Sequence, residues 1–317
     1  AMPGIETHYV SQLSRNVRFL PDQGGLSRLE PFVESGTHEG KQASPVDQVG
    51  STEVTWDRPR KSDTVFTDIS SDRRWVYPHT ANVTVPIDKI DEIRKIVDLK
   101  SPYARRVAEA HARAKDDSIG EAFFADSRTG EMGATTTAFP AAQKVGVNVG
   151  GSNSGLNVAK LRAARRILMA SGLNMETMRP KIAITAVEYD NLLGELQVTS
   201  MDYNDRPTLV DGRVSQFLGF DFVQVEWQAT HNRPDGTGVP AYPLSLPYIA
   251  PAGLASTARF LPVWVEEGMY LGKWEDLRVE MDERADKNYL WQVWSEMSVG
   301  ATRLEEKRVV QIAVNSA

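Results

Sequence analysis

Hydrophobic positions are sparse in the first part of the chain and regularly spaced in the rest. Residues 34–64 contain few large apolar side chains, namely Val46, Val49, Val54 and Trp56. Burial of four side chains does not offset the conformational entropy that is lost when so much backbone becomes ordered. We therefore expect another surface to hold this segment, and a neighbouring copy of the same chain is the simplest one.

The segments around it are also predicted to be extended. Polar and apolar positions alternate weakly over residues 1–33, which indicates an arm. Residues 52–56 and 74–77 have the composition of strands, and the charged turn 58–61 lies between them. Together they predict a long polar hairpin.

Three helices are predicted further along. A short one begins at Pro86 and reaches about residue 97, because proline favours the first helical turn and apolar residues follow at helical spacing. The longest begins at Ser101-Pro102 and continues to about Phe124, with an alanine-rich sequence that favours helix. The third covers residues 156–171 and ends at a glycine.

The second half of the chain is predicted to alternate between strands and one short helix. Residues 130–151 permit only turns and short strands, because they are rich in glycine and threonine. The pattern then predicts, in order, a strand at 181–186, a helix at 187–194, a buried strand pair at 214–227, and a tail at 277–314 that is mostly strand with a break at 300–302.

Composition narrows the class of protein. The chain has 317 residues, no cysteine and a net charge of -6, which excludes disulfides and thiolate metal sites and argues against phosphate-driven recognition of a DNA sequence. It has no apolar run long enough to span a membrane and begins with no signal-peptide pattern. We expect a protein that is made and used in a cytoplasm, with two or more modules.

Candidate catalytic and metal-binding residues do not form a site in the sequence. Adjacent carboxylates point in different directions, so the pairs are expected to be solvated surface; they are Asp116-Asp117, Glu266-Glu267, Asp282-Glu283 and Glu305-Glu306. The five histidines, including His111 on a predicted helix flank, are too scattered for a zinc motif. The glycine-rich stretch 150–155 lacks the ending of a phosphate loop and is interpreted as a joint before a helix. We expect no catalytic residue, no metal and no cofactor.

Several short strings occur in the order typical of one family. They are Asp72-Arg73-Arg74-Trp75-Val76-Tyr77-Pro78, Val97-Asp98-Leu99-Lys100-Ser101-Pro102-Tyr103-Ala104, Asp116-Asp117-Ser118-Ile119, Gly130-Glu131-Met132-Gly133, Asp211-Gly212-Arg213 before Phe217-Leu218-Gly219-Phe220, and Ser298-Val299-Gly300-Ala301-Thr302-Arg303. Each string is weak alone, but their order over most of the chain is specific. The chain resembles the major capsid proteins of tailed bacteriophages, and most of all the non-enzymatic subunits of short-tailed phages.

The resemblance implies an α+β fold of the Hong Kong 97 type. Its parts would be an N-terminal arm at 1–33, an extended hairpin loop (E-loop) at 34–85, a peripheral domain with a long spine helix at 86–150 and 273–317, and an axial domain at 151–272. It also implies that many copies form pentamers and hexamers of an icosahedral shell in the virion, which encloses double-stranded DNA without reading its sequence. Scaffolding, portal and decoration proteins are the other partners that it suggests.

The loop charges are the candidate contacts between subunits. The residues assigned to this role are Lys41, Trp56, Arg58, Arg60, Lys61, Arg73 and Arg74. Aspartates interleave with these cations, so pairing with an acidic neighbour subunit explains them better than binding of nucleic acid. Some capsids of the resembled family join a loop lysine to a neighbour's asparagine, but neither Lys41 nor Lys61 lies in the apolar setting that such chemistry needs.

Two other functions remain open at this point. The same fold is shared with encapsulins, which enclose a cargo enzyme, although the long N-terminal arm favours the phage protein. A cytoplasmic hydrolase or transferase is the other alternative, weakened by the lack of cysteine, of clustered histidine and of any complete catalytic string.

Overall fold

The computed structural model describes residues 27–40, 47–50, 52–54, 56–57, 60–61, 63, 66–69, 71–87, 100–175, 177–195, 216–225, 258–287 and 289–315. Within these ranges the helices are α1 (Lys100–Ala122), α2 (Val158–Ala170) and α3 (Ala186–Leu193). The strands are β1 (Glu34–Thr37), β2 (Asp47–Val49), β3 (Ser71–Trp75), β4 (His79–Ile87), β5 (Ser127–Thr129), β6 (Thr135–Thr137), β7 (Lys144–Val145), β8 (Lys181–Ile184), β9 (Gln216–Phe217), β10 (Phe220–Gln224), β11 (Ala258–Trp264), β12 (Met269–Arg284), β13 (Leu290–Arg303) and β14 (Val309–Asn315).

The long helix α1 packs on a four-stranded sheet in the order β1-β12-β13-β4. Strands β12, β13 and β4 are antiparallel, and β1 pairs with β12 in parallel. The helix buries Val107 against Val293 of β13, and Ile119 and Phe123 near its other end. An alanine-rich helix with an apolar residue about every turn thus has one face for this sheet.

A six-stranded mixed sheet, in the order β7-β14-β11-β8-β10-β9, forms the second core. Helix α2 covers it with the apolar face Leu161, Ala164 and Leu168. Asn157 caps the helix by accepting a hydrogen bond of 2.9 Å from the Lys160 backbone. Gly172 ends it with a φ of +85°, a left-handed conformation that favours glycine.

The third sheet, β2-β3-β5-β6, is small and connects the loop region to the turn after α1. Its strands β3 and β5 pair at Arg74 and Trp75, and the Trp75 indole donates to the Gly130 carbonyl at 2.7 Å. Gly133 has a φ of +68°, and a side chain there would collide with Tyr77 and Trp75. The turn is therefore fixed closely against the base of the loop.

Residues 27–33, the described end of the segment that was predicted to form an arm, are held by α1. Asp116 accepts hydrogen bonds from the Ser27 hydroxyl at 2.5 Å and from the backbone N–H groups of Arg28 at 3.0 Å and Leu29 at 2.9 Å. Leu29 and Val33 are buried in the core beside Phe123. The expectation that Asp116 is solvated surface was wrong, because its carboxylate is almost fully buried as the acceptor for this turn.

The expected position of His111 on a helix flank was also wrong. Its side chain is buried between α1 and the first sheet, and its Nε2 lies 2.8 Å from the Ser295 hydroxyl of β13. Ser295 in turn donates to the Val83 carbonyl at 3.1 Å. His111 therefore donates to Ser295 and links the helix to two strands.

Two predicted element boundaries differ from the structure. Pro86 lies inside β4 opposite Gln292 and does not start a helix; β4 is an edge strand, where a missing N–H is tolerated. The remainder of that predicted helix lies outside the described residues. Gly300 lies inside β13, where a side chain would meet the Tyr77 carbonyl at 2.0 Å, and the chain turns later, before β14.

Several other predicted elements are confirmed where the structure describes them. They include α1, α2, β8, α3 and the strand pair β9 and β10. Residues 52–54 are not in a strand, and the pairing at the loop base is made by β2 and β3. Of the segment predicted for the peripheral domain, β12 and β13 belong to the first sheet and β14 to the second.

Candidate intersubunit surface

The loop between β2 and β3 is the part of the described chain that has the least contact with the two cores. Every described residue from 52 to 69 is exposed. Asp57 and Lys61 have positive φ angles of 50° and 65°, which are typical of turns. The loop therefore projects from its base in the third sheet.

Several of the exposed large apolar side chains in the described part of the chain lie on this loop and its base. The exposed fractions are 74% for Val49, 74% for Val54, 82% for Trp56, 91% for Phe66 and 44% for Ile69. Exposed apolar groups in one segment mark a surface that binds another protein. The loop thus has the composition of an interface that is open in the single subunit.

Charged residues at the base hold the loop to its own subunit. Arg73 forms an ion pair with Asp47 of the neighbouring strand β2, at 2.5 Å, and both side chains remain largely exposed. The pKa of Arg73 is raised, first by its hydrogen bond to Asp47 and then by the charge of that carboxylate. Asp72 accepts from the Gly130 N–H at 3.1 Å. These contacts fix the direction in which the loop leaves the base.

Arg74 is directed into the subunit instead. Only 4% of it is exposed, and it donates to the Leu304 carbonyl at 2.9 Å and to Glu306 at 2.8 Å. The prediction that Arg74 contacts a neighbouring subunit was therefore wrong. Arg74 is an internal residue that joins β3 to the turn before β14.

Arg303 of β13 shares the same carboxylate. It is fully buried, lies 3.7 Å from Glu306, and donates at 2.9 Å to each of the Phe123 and Ala125 carbonyls at the end of α1. Burial lowers the pKa of Arg303. One glutamate therefore connects the loop base, through Arg74, to the end of the long helix, through Arg303.

The remaining predicted contact residues are distributed along the loop. Trp56, Arg60 and Lys61 are exposed, as a contact role requires. Lys41 and Arg58 lie outside the described residues. Sequence reasoning missed Phe66 and Ile69, although an apolar residue in an otherwise polar segment was the signal that had selected Trp56.

Neither membrane insertion nor a metal centre is indicated by the described part of the chain. No helix there is long and apolar enough to cross a membrane. The same residues contain no group of three or more histidine, aspartate or glutamate side chains that could hold a metal ion.

Comparison with solved structures places this architecture among viral capsids. A cyanophage P-SCSP1u capsid structure superposes with a TM-score of 0.72 at 16% identity, covering 100% of this chain and 96% of that one. The cyanophage Pam1 capsid gives 0.68 at 12% identity, with 97% and 96% covered. The capsid of Helicobacter pylori bacteriophage KHP30 gives 0.67 at 10% identity, again with 97% and 96% covered.

The fold of this chain is therefore the fold of phage capsid subunits. The profile of the phage capsid protein family matches residues 5–315. The chain belongs to that family, and its function is that of a phage major capsid protein located in the virion. No curated protein sequence matches it significantly.

Proposed function

We propose that copies of this chain assemble, through the N-terminal arm and the loop, into the pentamers and hexamers of an icosahedral shell that encloses double-stranded DNA. The observation that carries the proposal is the exposed apolar surface on the loop. Burial of a side chain such as Trp56 or Phe66 contributes about 1.5 to 3 kcal/mol. A closed shell repeats each contact many times, so moderate contributions suffice for a stable particle.

The loop cations have a second role in this proposal. Arg58, Arg60 and Lys61 pair with acidic groups of a neighbouring subunit, while Arg73 keeps its ion pair with Asp47 and orients the loop. Lys41 is assigned to the same interface. Because an exposed ion pair contributes only about 0 to 1 kcal/mol, the charges select the docking position, and the apolar groups supply most of the free energy of association.

Electron microscopy of the purified protein tests the proposal. Wild-type protein should form closed shells. The double variant Trp56→Ser with Phe66→Ser should stay folded, because these side chains are exposed in the subunit, but should not form shells. A triple charge reversal at Arg58, Arg60 and Lys61 is expected to have the same result.

The matched control removes half-exposed apolar groups outside the loop, by Val187→Ser with Val279→Ser. This control should still assemble. Small discrete oligomers from the wild type would contradict the shell, and normal shells from the Trp56 and Phe66 variant would contradict the role of the loop.

A further inference from the structure

Helix α2 has an unusual distribution of charge for this acidic protein. Its sequence carries Lys160, Arg162, Arg165 and Arg166 and contains no acidic residue. The chain as a whole has a net charge of -6. Four cations within one helix therefore form a local positive region that the overall composition does not explain.

Two of these cations lie on the side of the helix that faces away from the core, and a third, Arg165, lies at the edge of that side. Leu161, Ala164 and Leu168 pack on the second sheet, and a rotation of about 100° per residue places Arg162 and Arg166 together on the opposite side. Both are exposed, and Arg165 beside them is half-buried. We call Arg162, Arg165 and Arg166 the arginine face.

The arginine face lacks acidic partners within the described part of the chain. No ion pair involves its members there. In contrast, each of five other arginines contacts a carboxylate, namely Arg74, Arg259, Arg278, Arg284 and Arg308. The Nε of Arg165 is buried without a hydrogen-bond partner among these residues. Like charges one turn apart destabilise a helix by a few tenths of a kcal/mol. The arrangement thus lowers the stability of the free subunit and is suited to an anionic partner.

The fourth cation, Lys160, lies on a different side of α2 from the arginine face. Lys160 is fully buried, and its ammonium group donates to the carbonyls of Ser154 and Gly155 at the start of α2. Burial lowers its pKa to about 8, so it is still mostly charged at neutral pH.

The chemistry of the face favours a nucleic acid over an acidic protein. Protein interfaces depend on large side chains such as Trp and Tyr in packed pockets, whereas this face offers only Met169 between its arginines and small alanines. Alanine at positions 159, 163 and 170 leaves a smooth surface that an anionic polymer can approach. The guanidinium group binds phosphate with paired hydrogen bonds.

We infer that the arginine face binds the phosphate backbone of the DNA that the shell encloses, an assignment that rests on the proposed function. Phosphate contacts position a protein on DNA without reading its sequence. Each subunit would contribute a weak, salt-sensitive contact, and repetition over the shell would hold a highly charged polymer against a protein of the same sign.

The test measures retention of unassembled, full-length subunits on immobilised double-stranded DNA of random sequence as salt is raised. With three phosphate contacts, a fourfold rise in salt should weaken wild-type binding about 40-fold. For Arg162→Gln with Arg166→Gln, which leaves one contact, the same rise should weaken it only about 3- to 4-fold. The variant Arg162→Lys with Arg166→Lys should retain most of the wild-type salt dependence.

The matched control is Arg278→Gln with Arg284→Gln, which removes two exposed arginines that are already paired with acids. It should bind DNA as the wild type does. Equal salt dependence in the wild type and the Arg162 and Arg166 glutamine variant would overturn the inference. So would wild-type protein that is retained by polyglutamate more strongly than by DNA, since that result indicates an acidic protein partner.

Microscopy of the same preparations separates this inference from the proposed function. Shells that form from the glutamine variant, together with its weakened DNA retention, support both. If the wild type forms no shells but shows the expected DNA binding, the proposed function fails while the arginine face is still confirmed as a DNA contact.

Discussion

Asp116 fixes the end of the N-terminal arm with a single carboxylate. Its oxygens accept from Ser27, Arg28 and Leu29, so the arm turn ends in the interior beside α1. Burial raises the pKa of Asp116, while these hydrogen bonds oppose the rise. The residue thus fixes the turn that brings Leu29 and Val33 into the core.

Removal of this carboxylate should release the arm. In Asp116→Ala the buried N–H of Leu29 and its neighbours lose their acceptor, and each unsatisfied buried donor costs about 1 to 3 kcal/mol. We expect urea unfolding to show a loss of roughly 3 kcal/mol and proteases to cut near Ser27 faster. Asp282→Asn, at an exposed site, is the control, and an equal effect there would argue against a specific anchor.

His111 should make the subunit sensitive to acid. Burial, and then the charge of Lys115, lower its pKa below 6.5. The unfolded chain therefore binds the proton at a higher pH than the folded one, so stability is complete above about pH 6.5 and falls as the pH drops below it.

The measurement is urea unfolding of the wild type and of His111→Gln between about pH 8 and about pH 5. The wild type should lose more stability over this range than the variant. Burial and Asp116 raise the pKa of Asp117 to about 7, which favours the folded state at lower pH in both proteins and cancels in the difference. Parallel curves would show that His111 does not titrate in this way.

Single residues show where prediction from sequence reached its limit. The contrast between Trp56 and its polar neighbours was visible in the sequence. In the structure the Trp56 side chain is exposed, which a contact residue requires. Asp116 and Arg74 were misjudged because their partners are 87 and 230 residues away in the chain. Hydrophobic patterns carry no information about which distant backbone groups a charged side chain will meet.

At the scale of elements, the segment that follows α1 is held by Arg303, a residue of the sheet on which α1 packs. Arg303 of β13 donates to the Phe123 and Ala125 carbonyls there and to the Thr137 carbonyl at 3.3 Å. Phe123 and Ala125 follow the last residue of α1, so the buried guanidinium group supplies hydrogen-bond donors to the turn that leaves the helix.

Arg303→Met is expected to destabilise the subunit by about 3 to 5 kcal/mol, the usual effect of removing one partner from a buried charged network. Glu306 would then retain only Arg74. Urea unfolding gives the free energy, and Arg308→Met, at a half-exposed arginine with acidic partners, serves as the control. A loss below about 1 kcal/mol for Arg303→Met would show that water replaces the guanidinium.

Helices were easier to predict than strands for a physical reason. The alanine content of α1 and the apolar spacing of α2 are local properties, and both helices occur where expected. Pro86 carried the signal of a helix start, but the free edge of a sheet also accepts proline. Gly300 was predicted to break the strand. Glycine is needed there because the Tyr77 carbonyl, from a part of the chain far away in sequence, leaves no space for a side chain.

At the scale of the whole molecule, we expect the shell to assemble without covalent bonds between subunits. The chain has no cysteine, and Lys61 lies on the exposed part of the loop. We expect shells boiled in detergent to give one band near 35.2 kDa. A ladder of multimers that disappears in Lys41→Arg or Lys61→Arg would identify that lysine as the nucleophile of a cross-link.

Strand β14 lies between β7 and β11 in the second sheet, and nearly all of its side chains are buried. The ribosome makes this strand after every other strand of that sheet. A nascent chain that stops before Val309 leaves two strand edges and an apolar core open to proteases and chaperones. Pulse labelling should therefore show rapid loss of such a fragment. Synthesis of β14 thus becomes a condition for stable folding, which keeps copies that lack it out of a lattice that requires identical units.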